Sequence, residues 1–315
     1  MQAVILAAGR GTRLRQLTER RSKAMLPIAG KPMIGRVMEL IAGCGVDEFI
    51  VVANPLDLEL TGYLEKVQMG RIQVVFQPQP HGAAEALLYA AQLITGDFVL
   101  SACDNLVPEF DLQKMLNSWQ NSTSLLGLLA LQTIPSTEIP SAGIVELRGE
   151  WVTRIIEKPR LQEAPSNIAS LPLYCFTPDL LKYLPHVKSS PRGEYELQDA
   201  IQMLIAESGS VRGYLTKSRL TLTSEKDLLT LNRFYLVQQG NHALQIDDAV
   251  PAGTVLLPPV QIEAGAIIGD KCTIGPEVFL EAGCRLGDGV TIQRSIALRG
   301  ADIPAGATVI GKVAA

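Results

Sequence analysis

The chain has 315 residues, of which 47% are hydrophobic, 19% charged and 5% aromatic, and its net charge is −4. This length suits two domains, the aliphatic content suits a large core rather than disorder, and the acidic balance argues against a general nucleic-acid binder. The longest apolar runs, residues 49–53 and 125–131, fall far short of a membrane span.

The chain opens directly on an apolar strand, residues 3–6, with no basic segment before it. No signal peptide and a cytoplasmic location are therefore expected. Residues 31–44 read as a helix, with Pro32 tolerated at its start and Gly45 at its stop. A strand at 49–53, a helix at 58–69, a strand at 72–76, a helix at 83–94 and a strand at 97–102 follow. This alternation predicts an α/β fold with a doubly wound, mainly parallel sheet. Ligands in such sheets bind beyond the carboxyl ends of the strands.

The last part of the chain has a different pattern. An aliphatic residue recurs every six positions at Val250, Leu256, Ile262, Ile268, Ile274, Leu280, Leu286, Ile292 and Leu298. A hexapeptide period predicts a short parallel β-helix of about three coils. The expected organisation is residues 1–237 as one domain and 246–311 as a second. The open ends and aliphatic faces of a short β-helix predict a homo-oligomer, with the coil as a possible route.

Cys44, Cys103, Cys175, Cys272 and Cys284 form no CxxC pair, and their scatter argues against a disulfide framework. The three histidines have neither metal-ligand nor triad spacing. Charge is more informative. Arg10, Arg13, Arg15, Arg20, Arg21, Lys23, Lys31 and Arg36 face only Glu19 and Glu39 in the first 40 residues. Such a local positive field in an acidic chain points to a small anionic ligand.

Leu6, Ala7, Ala8, Gly9, Arg10, Gly11, Thr12 and Arg13 follow the first strand directly, and Lys23 lies ten residues further on. Glycines at a strand–loop junction let backbone N–H groups approach a phosphate. Neither a Walker lysine nor a complete GxGxxG is present.

This loop, together with Ser22-Lys-Ala-Met-Leu-Pro-Ile-Ala-Gly-Lys-Pro-Met33, resembles the signature of sugar-nucleotide pyrophosphorylases, the sugar-1-phosphate nucleotidyltransferases. The likeness continues in order through residues 77–87, Cys103-Asp-Asn105, Glu157-Lys-Pro159 and residues 193–201. It implies attack of a sugar-1-phosphate on the α-phosphorus of an NTP, with loss of pyrophosphate. By the same resemblance Arg13 and Lys23 would hold the phosphates, and Asp104 would bind Mg²⁺. Leu6, Ala7, Ala8, Gly9, Gly11, Thr12, Arg13, Gln77 and Gly82 would bind the nucleotide. Gln77 and Gly82 match the pair that reads a pyrimidine, which favours UTP or dTTP. Gly143, Glu157 and Lys158 would bind the sugar phosphate, glucose-1-phosphate being one example.

The resemblance also implies a left-handed β-helix for the repeats. In some relatives a longer β-helix is a histidine-dependent acetyltransferase; here every histidine precedes residue 243. Several departures stand out. A second metal-binding Asp or Asn is expected where this chain has Thr221, Leu222 or Thr223, and Asp227 falls too late. Ser170 replaces a sugar-contacting amide, Pro172 a glycine, and Cys103 the glycine before Asp104. Two readings therefore stay open: an active nucleotidyltransferase, or a non-catalytic homologue that binds nucleotide or sugar phosphate.

Overall fold

A computed structural model describes residues 1–9, 11–240, 242 and 244–315, with the side chains of Thr12, Arg15 and Gln16 left aside. Its contacts divide the chain into two units. One comprises residues 1–10 and 37–220, the other residues 11–36 and 221–315.

The first unit is built on strands β1 (Gln2–Leu6), β2 (Glu48–Ala53), β3 (Arg71–Phe76), β4 (Phe98–Ala102), β5 (Gly127–Thr133), β6 (Gly143–Arg148), β7 (Trp151–Glu157), β8 (Ile168–Phe176) and β9 (Val211–Leu215). They form one sheet in the order β3-β2-β1-β4-β8-β5-β9-β7-β6. The first four strands are parallel, as the βαβ pattern predicts. Strand β1 is buried along Ala3, Val4 and Ile5, as befits a central strand covered on both faces.

The mainly parallel, doubly wound expectation is corrected beyond β4. Strand β8 runs antiparallel to β4 and to β5, and β7 antiparallel to β6 and β9. Strand β6 also pairs with β8, so this half bends back on itself like a barrel. Residues 143–157 form a direct hairpin rather than a helical crossover, which forces the antiparallel sense.

Helices α1 (Met33–Gly43), α2 (Leu58–Leu64), α3 (Ala83–Ala90), α4 (Glu109–Gln120) and α5 (Leu197–Ser208) complete the first 220 residues, and α6 (Glu225–Gln238) lies in the second unit. Ala84, Leu87 and Ala90 of α3 and Leu197, Ile201 and Leu204 of α5 pack with Leu100, Leu129 and Phe176 in one apolar cluster. Helices α2 and α3 are shorter than expected. Asp57 caps α2 by accepting the Leu60 N–H at 3.1 Å.

In the second unit the carboxyl-terminal strands form three separate parallel sheets among the described residues, of five, four and three strands. None is closed or curled, so the expected left-handed β-helix of hexapeptide repeats is corrected, and the coil-mediated route to an oligomer is dropped with it. The periodic residues Ile262, Ile274, Leu280, Leu286 and Ile292 do share one buried cluster. A six-residue period records which side chains are buried. It does not dictate closure or hand.

Residues 11–36 are held within the same unit. The two-stranded ribbon Pro27–Ile28 with Lys31–Pro32 turns at Ala29 and Gly30, both at positive φ. Asn232 of α6 accepts the Ala29 N–H at 2.7 Å and donates to the Pro27 carbonyl at 3.2 Å. The Arg36 guanidinium donates to the carbonyls of Ile28 and Ala29 and lies 4.0 Å over the Tyr235 ring. Arg21 pairs with Glu281 at 2.6 Å.

Candidate active site

In the first unit the parallel strands end in register: Leu6 lies between Val52 and Ala102, and Ala53 pairs with Phe76. The chain stays pinned just beyond, as Ala7 N–H donates to Val52, Gln77 N–H to Ala53 and Cys103 N–H to Leu6. Leu6, Ala7, Ala8, Gly9, Gln77 and Asp104 are therefore gathered at one carboxyl edge, where the strand-order argument expects a ligand. Gly9 is exposed, and a Cβ built on it would meet nothing within 4 Å. The space beside it is open, and protein packing does not require a glycine there. One cavity lies elsewhere, by the strands' amino ends, lined by Gln2, Glu48, Asp97 and Trp119.

Gln77 is buried, and its amide N–H₂ group donates to Glu85 Oε2 at 2.7 Å and to the Gly82 carbonyl at 3.3 Å. Gly82 has a φ of +119°, and a Cβ there would lie 2.4 Å from the Tyr195 carbonyl oxygen. Only glycine fits this position. Tyr195 also donates its N–H to the His81 carbonyl at 2.7 Å and accepts from Ala84 at 3.0 Å.

A second group of residues lies across the β6–β7 hairpin. Gly143 pairs with Glu157, and a Cβ on Gly143 would come 2.9 Å from Glu157 Oε2. That oxygen is buried without a hydrogen-bond partner among the described residues. Glu157 Oε1 lies 3.3 Å from Lys158 Nζ, which is also 3.8 Å from Glu194. Burial pushes the Glu157 carboxyl up, and the Lys158 ammonium pulls it back only in part. Lys158 sits at a φ of +48°, a left-handed conformation uncommon for a lysine. Ser170 and Tyr174 exchange a hydrogen bond at 2.8 Å, and both are buried. Burial raises the Tyr174 phenol, against the smaller effect of that bond.

The turn at residues 189–196 joins the two groups, since Tyr195 holds Gly82 while Glu194 faces Lys158. Arg192 and Ser190 both donate to Glu196, at 2.7 and 3.1 Å, and tie the turn together. Sequence reading missed this bridge because Tyr195 acts through its backbone. It gave no role of its own to Asn105 of the Cys103-Asp-Asn105 motif, whose buried amide has neither polar atom satisfied among the described residues.

In the second unit Gly11 has a φ of +61°, and a Cβ there would press to 3.0 Å from the Lys23 Cβ. This contact brings Lys23 back against the start of the loop. Arg13 is exposed and Lys23 half-buried. Arg10 and the Thr12 side chain lie outside the described residues.

Among the described residues no three His, Cys, Asp or Glu side chains gather to hold a metal, so the metal binding expected at Asp104 is corrected in this respect: no ligand cluster is found there. Asp227 is committed elsewhere. Its carboxylate accepts from Thr223 Oγ1 at 2.6 Å and from the Ser224 N–H at 2.9 Å, closing the cap of α6. Burial alone would raise this carboxyl, but these hydrogen bonds outweigh it and lower it.

An α/β sheet with open loops at the carboxyl ends of its parallel strands defines a nucleotide-binding class of fold. Residues 2–220 match the family model described as nucleotidyl transferase. The chain is 32% identical over 214 residues to UTP–glucose-1-phosphate uridylyltransferase AglF of Haloferax volcanii, covering 67% of this chain and 86% of that protein. It is 31% identical over 238 residues to the bifunctional protein GlmU of Methanococcus maripaludis, covering 75% of this chain but only 54% of that one. A solved UDP-glucose pyrophosphorylase complexed with UDP-glucose superposes with a TM-score of 0.69 at 23% identity, covering 75% of this chain and 98% of that chain. The chain belongs to the nucleotidyl transferase family. This kinship supports the general reaction type and a Mg²⁺-dependent transfer in general, without naming the NTP or the sugar. Among the described residues no helix is long and apolar enough to cross a membrane.

Proposed function

We propose that the chain is an enzyme that joins UTP or dTTP to a hexose-1-phosphate, such as glucose-1-phosphate, releasing pyrophosphate. The observation that carries this reading is Glu157. Its Oε2 is buried, has no hydrogen-bond partner among the described residues and lies close against Gly143, where any side chain would crowd it, with the Lys158 ammonium adjoining Oε1. A lone acceptor next to a cation suits a substrate that has hydroxyls at one end and a phosphate at the other.

Gly143, Glu157 and Lys158 hold the sugar phosphate in this reading, while Gln77 and Gly82 read the base. Leu6, Ala7, Ala8, Gly9, Gly11 and Thr12 line the triphosphate. Arg13 neutralises the β- and γ-phosphates, and Lys23 offsets charge that grows at the α-phosphorus. The sugar phosphate oxygen attacks that phosphorus in line as the pyrophosphate oxygen departs, so no protein nucleophile is needed. Asp104 is half-buried beside a strand end and offers one hard oxygen ligand. Mg²⁺ is commonly held by one or two carboxylates plus substrate phosphates, so this single acid fits it. There the ion would neutralise phosphate charge. Residues 1–237 carry the transfer chemistry in this reading, and residues 246–311 buttress residues 11–36, with which they share a unit.

A second reading, a binding homologue without turnover, is favoured by one observation: Asp227 caps α6 and Leu222 is fully buried, so neither replaces a second metal ligand. Pyrophosphate release, measured with a panel of NTPs and sugar-1-phosphates in Mg²⁺, decides between them. Turnover with UTP or dTTP, lost by orders of magnitude in Asp104→Asn and Lys23→Ala, supports the enzyme. Nucleotide binding without any turnover supports the second reading, and full activity in either variant refutes the role given to that residue.

A further inference from the structure

The hydrogen bonding around Gln77 is asymmetric. Both protons of its amide nitrogen are directed to acceptors, one to Glu85 Oε2 at 2.7 Å and one to the Gly82 carbonyl at 3.3 Å. A carboxylate and a backbone carbonyl offer no proton in return. The orientation of the amide is therefore set by the chemistry of its neighbours. Gln77 Oε1 must point the other way, and no described residue donates to it. Glu85 is itself anchored, standing on the first turn of α3 with its other oxygen 3.3 Å from His81 Nδ1.

We propose that Glu85 is a positioning residue for base selection: it fixes the Gln77 amide so that only an acceptor faces the base, and so selects uracil or thymine against cytosine. This rests on the reading that Gln77 and Gly82 face the base. Uracil and thymine carry an N3–H, which donates to Gln77 Oε1. Cytosine carries a bare N3 lone pair, which meets that oxygen as acceptor against acceptor. A free glutamine would turn its amide and accommodate either base. Here the turn would leave the Glu85 carboxylate and the Gly82 carbonyl facing an oxygen, and unmatched polar groups are costly in a buried setting. Discrimination thus comes from a residue that need not touch the nucleotide.

The test is the affinity of the full chain for UTP, dTTP and CTP in Mg²⁺, measured by calorimetry, for the wild type, Glu85→Gln and Glu85→Ala. The wild type should bind UTP or dTTP at least tenfold more tightly than CTP. In Glu85→Gln the neighbour can donate or accept, Gln77 regains its freedom, and the ratio should fall below threefold because CTP binding improves. Glu85→Ala removes the constraint by a second route and suits a helix position. A merely structural role would weaken all three nucleotides together. A wild type that binds UTP and CTP equally, or variants that keep the wild-type ratio, overturns the role of Glu85 and leaves the proposed function standing. A wild type that binds none of the three overturns the proposed function, and this inference falls with it.

Discussion

Arg21 and Glu281 form the interaction that ties the loop at residues 11–36 to the carboxyl-terminal sheets within the second unit. Their side chains are only 6% and 11% exposed, and Arg21 Nη1 lies 2.6 Å from Glu281 Oε1. Glu281 Oε2 accepts the Arg299 N–H at 2.7 Å, so this carboxylate has two donors among the described residues. Arg21→Met keeps the apolar stem and removes the charge. It strands a buried carboxylate on one backbone donor, and breaking a buried pair in this way costs about 3–5 kcal/mol. We expect about 3 kcal/mol, because some water can reach the partly open Glu281. At a urea slope of about 2 kcal/mol/M, the midpoint should fall by about 1.5 M. Adding Glu281→Leu removes the stranded charge and should restore stability to within about 1 kcal/mol. Far-UV circular dichroism is the assay of choice. Both tryptophans, Trp119 and Trp151, belong to the first unit, so their fluorescence follows that unit separately. A loss below about 1 kcal/mol in Arg21→Met, the level of a solvent-exposed pair, would refute the reasoning.

Gly82→Ala must force a Cβ into the Tyr195 backbone at a φ of +119°. It should weaken UTP binding more than tenfold by calorimetry, and unchanged binding would show that the turn relaxes freely. Burial raises the Glu157 carboxyl above its ordinary range, so the folded chain keeps a proton that the unfolded chain has released. Stability should therefore fall as pH rises from the ordinary carboxylate range towards the raised value, and Glu157→Gln should flatten that slope. Urea midpoints between pH 4 and about 7 read this, and identical profiles for both proteins would contradict it. Cys44 is the one cysteine that is not buried, and burial, with the nearby Glu109 charge, pushes its thiol up to about 11. A thiol reagent at about pH 8 should label it at least tenfold more slowly than a free cysteine, and the other four only after unfolding. Fast labelling of two or more thiols in the native protein would count against the packing described.

The parallel strands were legible because each is an apolar run closed by glycine or a turn, and the helices between them impose the parallel sense. Strands β5 to β9 were not, because their order depends on which edge the β6–β7 hairpin reaches. That is a tertiary outcome with no periodic trace. At the carboxyl end, the six-residue spacing identified buried residues such as Ile274 and Leu286 but overreached on closure. Within the site, Gly11 was readable as a glycine with a conformational reason, whereas Gly82 came only from the family resemblance and its positive φ only from the structure. Glu85 and Tyr195 were not readable, since a carboxylate in the first turn of a helix and a backbone carbonyl leave no distinctive signature. Asp227 shows the reverse case. Its spacing from Ser224 is that of a capping box, which explains why a carboxylate stands there without serving a metal.

The departures from the family pattern bear on whether the site is in decay. Pro172 cannot donate to a sheet ladder, and in a well-paired strand it would be disruptive. It falls in the stretch between Ser170 and Tyr174 where β8 shifts register against β5, so the missing N–H interrupts no regular ladder. Ser170 offers less hydrogen bonding than an amide, but its hydroxyl is matched to Tyr174 at 2.8 Å in a fully buried setting. A neglected site tends to accumulate unsatisfied polar groups and voids. Here Ser170 is paired and Pro172 is placed where the backbone admits it, while Glu157 keeps one oxygen without a hydrogen-bond partner among the described residues, close against Gly143. The unmatched acceptor is retained at the place where a hydroxyl of the substrate would satisfy it. Under the proposed reading, that acceptor and the unsatisfied Asn105 amide are the groups left for a ligand, as a site still in use requires.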